Sequence, residues 1–430
     1  MKSDDQPPTM AGFIDYVLEL ERLALTGTPA PAKAFAPALD GEAGRELRRL
    51  VDIDTRRDYG AFFTGSKLAE RLVARAIGEN SYHDPACGAA DLLLAASRRL
   101  PVGKSLRTTV ANWSKRLSGF DLHPEFVRAA KARLILMVRS RGVFTDTLPA
   151  DYLSRIFPKI TGQNALDETA RPPNGTIILM NPPFYAQKAP ADCAWWGYGE
   201  VNVAAVFVAE YLARVKPGTR MMAILPEVLR SGSYYSKWRT HVAERSSALT
   251  IQSWGRFDAN ADVDVFMLDI VKSKSKEPVK RWPTTRANPN SLGDSFDVSV
   301  GAVVPHRHKK RGMLRRFLDA RSAPTGGTIT RVSKCRKFKG TVVQPPFVVV
   351  KRTSRPGDKL RAAPTIVTGS RPVAVENHLI VCRPKGRTQA ECRQLLAQLQ
   401  SPHVTDFLNR EMRCRHLTVG VVRRIPWQTD

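Results

Sequence analysis

The chain has 430 residues, 43% hydrophobic and 25% charged, with 67 Lys and Arg against 40 Asp and Glu for a net charge of +27. That length accommodates two or three domains with real cores, and the composition excludes low-complexity disorder, collagen and coiled coil. No run of about eighteen apolar residues could span a membrane, the first residues lack a basic segment followed by an apolar one, and six scattered cysteines without a Cys-x-x-Cys pair argue for a reducing cytosol.

The charge is uneven. Residues 271–430 hold 33 basic and 10 acidic side chains, a balance of +23, while residues 1–270 hold 34 and 30, a balance of +4. A nearly neutral larger part joined to a strongly basic smaller part suggests a polyanion binder fused to another function. Nucleic acid is favoured over a merely solvated basic face because the excess sits in one third of the chain.

In chain order, the apolar spacing of 10–24 predicts a helix, broken by the Pro- and Ala-rich 28–38, with a second short helix over 41–51. This N-terminal helical segment, 1–50, carries no visible chemistry. From about residue 59 short apolar runs alternate with amphipathic helices. The expected elements are helix 66–77, stopped by Gly78; strand 80–84; helix 90–99; strand 116–120, ending at Asp121; and a helix from Pro124 to about 140. Strand 176–180, helix 203–215, strand 221–225 and strand 263–270 follow. Strands that are apolar throughout, separated by helices, indicate a parallel sheet covered on both faces. A doubly wound, Rossmann-like α/β domain is therefore expected over 51–275. A charged linker at 272–281 leads to short β runs at 342–350 and 378–382 among basic turns, then helices near 388–400 and 402–411. This predicts a separate, mostly β, basic domain over 276–430.

Ligands of doubly wound folds sit at the carboxyl ends of the strands, and three segments fall there. The first is Asp84-Pro-Ala-Cys-Gly-Ala-Ala-Asp91, a turn of small residues that lets backbone approach a ligand and points helix N–H groups at it. By itself such a turn is equally common as packing. The second is Asp121, placed to hydrogen bond ribose hydroxyls or simply to cap a helix. The third is Asn181-Pro-Pro-Phe184. Its prolines fix the backbone so that the Asn181 amide and the Pro182 carbonyl can offer two acceptors to one amino group, with Phe184 as a stacking surface. Following an apolar strand and in this order, chance is a poor explanation for all three.

In these motifs the sequence resembles the S-adenosylmethionine-dependent DNA N6-adenine methyltransferases of the gamma class, which include Type II modification enzymes and Type I modification subunits. The resemblance covers about 59–270. It implies that Tyr59 and Thr64, in Tyr59-Gly-Ala-Phe-Phe-Thr64, lie by the methionine part of the cofactor. It implies a first motif carrying Asp84, Ala86, Cys87 and Gly88, a ribose-binding Asp121, and a catalytic loop Asn181, Pro182, Pro183 and Phe184. Two departures stand out: Ala90 replaces the third glycine of the first motif, and Gly65 replaces the proline that usually follows the threonine. The residue facing the cofactor's adenine is matched to Asn164, with Asp146, Asp151 and Asp167 as rivals. A second aromatic for the target base is expected from the loop Trp254–Asp258, at Phe257, which a core role fits equally well. Cys87 reads as small packing and not as a nucleophile.

The implied activity is methyl transfer to N6 of an adenine flipped out of double-stranded DNA, in the cytoplasm at the nucleoid. Flipping is required because the amine cannot be reached inside the duplex. Residues 276–430 more loosely resemble a fused target-recognition region. No metal and no membrane are expected, and a separate restriction or defence-system partner is left open. His306-Arg-His-Lys-Lys-Arg311 reads as a basic tract near phosphates and not as a zinc site. The rivals are methylation of another amino group (cytosine N4, RNA adenine or protein glutamine) and a decayed, non-catalytic DNA-binding module.

Overall fold

The computed structural model describes residues 11–27, 35–58, 60–76, 80–142, 144–258, 262–274, 282–283 and 290–428. The chain divides into two compact units, Met1–Pro226 with Ser236–Pro283, and Glu227–Tyr235 with Thr284–Asp430.

The first unit is built on a seven-stranded sheet. Five strands run parallel: β1 (Ser81–Asp84), β2 (Leu117–Asp121), β3 (Ile160–Gly162), β4 (Thr176–Met180) and β5 (Arg220–Pro226). Two more, β6 (Ser246–Arg256) and β7 (Asp264–Lys272), complete one edge antiparallel, giving the order β3-β2-β1-β4-β5-β7-β6. The order reverses between β1 and β4, so a crevice opens where their carboxyl ends diverge. β4 reads Thr-Ile-Ile-Leu-Met and is buried along its whole length, as a strand covered on both faces must be.

Helices α1 (Ala11–Leu25), α2 (Glu42–Leu50), α3 (Ser66–Val73), α4 (Asp91–Ser97), α5 (Leu106–Arg116), α6 (Pro124–Arg141), α7 (Val203–Arg214) and α8 (Ser236–Glu244) belong to this unit. Their starts have local causes. Pro124 sits in the first turn of α6, where its missing N–H costs nothing. Ser105 and Asn202 cap α5 and α7, each side chain accepting from a backbone N–H of the first turn. Helix α3 ends at Val73, short of the expected 77, and Gly78 lies outside the described residues.

The described residues before 51 pack into the core of the first unit. Phe13, Val17 and Leu20 of α1 are buried in the same core as α4 and α6, and Arg128 of α6 forks onto Glu21 at 2.6 and 2.8 Å. The segment 254–258, expected as a loop, is mostly strand: Trp254–Arg256 finish β6, and Phe257 follows in the hairpin, its N–H donating to Val263 at 2.9 Å.

The second unit contains β8 (Phe296–Val300), β9 (Leu314–Leu318), β10 (Thr328–Ile329), β11 (Cys335–Lys337), β12 (Phe347–Lys351), β13 (Pro364–Val367), β14 (Val373–Val375) and β15 (Leu379–Pro384). They form a five-stranded sheet, β8-β15-β12-β13-β10, and a three-stranded one, β11-β9-β14. Val348, Val350, Ile380 and Cys382 face one core with helices α9 (Gln389–Leu399) and α10 (Pro402–Glu411). Phe347, Val349 and Val381 face another with Leu318, Val373 and Val375 of the smaller sheet. Among the described residues no helix is long and apolar enough to cross a membrane.

Candidate active site

A cleft with about 670 Å³ of empty space opens at the carboxyl ends of β1, β2 and β4. It is lined by Gly60–Phe63, Pro85, Ala86, Gly88, Asp121–His123, Phe126, Gln163–Leu166, Asn181, Pro183, Tyr185 and Phe207. Three stretches far apart in sequence meet here because parallel strands deliver their following loops to one edge of the sheet.

The turn after β1 is built around carboxylates. Asp84 is buried, and its Oδ1 accepts from the Ala86 N–H at 3.1 Å; burial, with the carboxylates of Asp121 and Asp91 nearby, holds its carboxyl well above the usual range. Asp121, at the tip of β2, accepts from the Gly88 N–H at 2.8 Å and the His123 N–H at 3.0 Å. Burial raises its carboxyl too, and these two N–H groups oppose the rise. Each oxygen keeps a further lone pair for a ligand. Burial pushes the Cys87 thiol up as well, so it is no thiolate nucleophile. Asp84 and Cys87 lie behind the cleft wall and shape the turn, while Ala86 and Gly88 face the space. His83, one residue before Asp84, is a neutral core imidazole: burial drives it down to about 3, and its Nδ1 lies 3.0 Å from the Ser118 hydroxyl.

The Asn181–Phe184 loop follows β4. The Asn181 Nδ2 donates to the Thr64 hydroxyl at 3.0 Å and to the Phe62 carbonyl at 3.4 Å. Its Oδ1 is buried and has no hydrogen-bond partner. A buried amide oxygen left without a donor is costly, about 1–3 kcal/mol, and so points to an occupant that brings one. Thr64, expected beside the methionine part of a cofactor, holds Asn181 through its hydroxyl. Gly60 allows close approach to this loop, since a Cβ there would meet the Pro183 Cβ at 2.6 Å. Asn202 secures the loop from the other side: its Nδ2 donates to the Phe184 carbonyl at 2.6 Å while its Oδ1 caps α7. The Phe184 and Phe257 rings meet edge to face with centroids 5.8 Å apart. Phe257 is 7% exposed and belongs to the core cluster, so its ring buttresses Phe184.

Asn164 lines the cleft, but its amide serves its own loop, accepting from the Leu166 N–H at 3.1 Å and donating to Asp167 at 2.7 Å. Its neighbour Gln163 lines the same wall. Tyr59 lies outside the described residues. Asp91 is a contributor that the sequence did not single out. One of its oxygens accepts from the Gly65 N–H at 2.7 Å, the other from Arg133 at 2.9 Å. Arg133 is fully buried and also donates to the carbonyls of Ala38 and Ala89. This chain of contacts ties the threonine segment, the first-motif turn and the N-terminal helices into one frame. Only a matched pair of charges on three separate segments could have signalled it, and one sequence does not reveal such a pair. Among the described residues no cluster of His, Cys, Asp and Glu could hold a metal ion.

No family model and no curated protein matches the chain. Solved structures do. The Type IIG restriction endonuclease BpuSI matches at 13% identity and a TM-score of 0.42, over 92% of this chain and 61% of its own. The M protein of the Type I enzyme EcoKI matches at 18% and 0.38, over 55% and 49%. The chain thus spans less than two thirds of either. The Type IIL restriction-modification enzyme MmeI, solved in complex with DNA, matches at 13% identity and a TM-score of 0.50, over 89% of this chain and 70% of that one. With MmeI the chain shares a fold along most of its length.

Proposed function

We propose that this chain is an S-adenosylmethionine-dependent methyltransferase that modifies N6 of an adenine flipped out of double-stranded DNA. The observation that carries the proposal is the unpartnered, buried Oδ1 of Asn181, a residue that lines the cleft. An exocyclic amine brings the missing donor. With the Pro182 carbonyl as second acceptor, both N6 hydrogens are held and the nitrogen's lone pair is drawn out of conjugation with the ring. Phe184 offers a face for the base, and the Phe257 edge keeps that face in place. This is catalysis by orientation and by electrostatics, and it needs no strong general base.

The residues present fit the cofactor. The Asp121 carboxylate is ready for a ribose diol, and Ala86 and Gly88 leave backbone exposed to a ligand. Gln163, Asn164 and their loop would flank the adenine ring. S-adenosylmethionine, when bound, supplies an electrophilic methyl group. The fold shared with MmeI, together with the +23 balance of residues 271–430, favours DNA as substrate over a protein amide. The second unit would then act as the target-recognition region, in a cytoplasmic enzyme that works alone or beside a restriction or defence partner.

Asn181→Ala is expected to abolish methyl transfer while leaving DNA affinity within about twofold. The measurement is transfer of labelled methyl to unmethylated DNA, with the product nucleoside identified by mass spectrometry. Retained transfer by the variant, or a product other than N6-methyladenine from the unaltered protein, refutes the assignment.

A further inference from the structure

Between His306 and Thr341 the chain carries twelve Lys or Arg and a single acidic residue, Asp319, which is already bonded to Lys334 at 2.6 Å. The first part of this stretch is an exposed arm. Residues 306–314 are all exposed, and they lead into β9, which pairs antiparallel with β11. In that ladder Arg315 stands directly opposite Arg336. Like charges across a strand pair are unfavourable unless a counter-charge is present. The arm nevertheless has a defined shape. Arg336 donates to the carbonyls of Pro305 and His308, at 3.2 and 2.6 Å, and Val304 N–H donates to the His308 ring at 3.1 Å. These contacts fix backbone without neutralising any charge. At the start of β9 two large apolar side chains, Met313 and Leu314, are 66% and 67% exposed amid the cations.

We propose that this arm is a double-stranded-DNA contact: Arg307, Lys309, Lys310 and Arg311 lie on backbone phosphates, and Met313 with Leu314 presses on the apolar sugar and base edges of a groove. The inference deepens the reading of the second unit as a recognition region and rests on it for the identity of the polyanion. Beyond Arg316 the sheet narrows to two strands, with Leu314 and Arg315 paired to β11 alone; a two-stranded end of this kind fits the major groove of B-DNA, whereas the deep, narrow major groove of an RNA duplex does not admit it. The two kinds of contact leave different marks. Phosphate contacts release counterions and so set the salt dependence, by roughly 0.9 in the log–log slope for each phosphate. Apolar contacts add affinity without a slope.

The test is fluorescence anisotropy of the full chain with a 30-base-pair duplex across a salt series. Arg307→Gln/Lys309→Gln/Lys310→Gln/Arg311→Gln should reduce the slope by about 3–4 and the affinity on the order of 10²–10³-fold at physiological salt. Met313→Ala/Leu314→Ala should weaken binding about tenfold at an unchanged slope. The charge-preserving set Arg307→Lys/Lys309→Arg/Lys310→Arg/Arg311→Lys should bind as the parent does. All substituted side chains are exposed, so unchanged thermal unfolding of each variant verifies folding. An unchanged slope in the glutamine variant, or tighter binding of a matching RNA duplex by the parent, overturns the inference. Methyl transfer measured on the same samples separates the two ideas. If the parent transfers nothing but the slope falls, the arm stands and the enzyme reading fails. If transfer occurs but the slope is unmoved, the reverse holds.

Discussion

Gly65 and Ala90 occupy positions where the chain departs from the motif pattern it resembles, and the backbone explains one departure and exposes the other. Gly65 has φ of +74° and donates its N–H to Asp91. Proline could do neither, because its ring fixes φ near −65° and removes the N–H. Ala90 has φ of +72° and is fully buried at the start of α4. That left-handed conformation suits glycine and costs an alanine about 1 kcal/mol. Between these two lies the orientation of Asn181. The Phe62 carbonyl can only accept, so it selects the amide orientation that turns Nδ2 to Phe62 and Thr64 and leaves Oδ1 without a partner. The Thr64 hydroxyl adds a second acceptor. Thr64→Val keeps the volume and loses the hydroxyl. It should lower kcat about tenfold, the worth of one hydrogen bond, with DNA affinity unchanged. Thr64→Ser should restore the rate. Single-turnover transfer at saturating cofactor is the measurement, and equal losses in both variants would assign Thr64 to packing.

Helix α1 shows how an element remote from the reaction can shape the cleft. Its Phe13 ring packs edge to face on Phe126 at 5.4 Å and lies 6.1 Å from Phe63, and those two rings are 5.0 Å apart. Phe63 and Phe126 line the cleft wall. Phe13→Ala should therefore destabilise the first unit by about 3–5 kcal/mol and also weaken cofactor binding several-fold, read by denaturant titration and calorimetry. Cofactor binding at parental affinity in the folded variant would reduce α1 to a stabilising role. Nothing in the sequence of 1–50 announces this, because an amphipathic helix looks the same whichever core it covers. The central strands were legible for the opposite reason: Thr176–Met180 is apolar at every position, and only a strand buried on both faces uses residues that way. β6 was not, since Ser246–Arg256 alternates with polar residues on an edge and was read only at its end, as a loop. β3 has three residues, too few to show a periodicity in the sequence. The placement of Asp84, Asp121 and Asn181 at the ends of strands could be read from local order. The contacts that hold the neighbouring loops, Thr64 with Asn181, Asn202 with Phe184 and Arg133 with Asp91, join segments 18 to 117 residues apart and become visible only in three dimensions.

Across the whole molecule the chain does not divide where its charge does. Residues 227–235 leave the first unit directly after β5 and belong to the second. Their anchor is Glu227, which is 2% exposed. Its carboxylate pairs with Arg230 at 2.6 Å, accepts from the Ser231 hydroxyl at 3.1 Å and accepts from the Arg413 N–H at 3.0 Å. Arg230 in turn donates to the Arg410 carbonyl at 3.1 Å. A buried acid serving three donors is expensive to lose, because the largely buried Arg230 charge loses its counter-ion and each donor loses a partner. Glu227→Ala should thus cost the second unit about 3–5 kcal/mol. If the two units unfold separately, scanning calorimetry will show one transition moving down by several degrees while the other holds. DNA binding will fail at the lower transition, and cofactor binding at 25 °C will be unaffected. If both activities and both transitions fall together, the excursion of 227–235 couples the units into one cooperative body. The reaction would then depend on the recognition region for stability as well as for substrate.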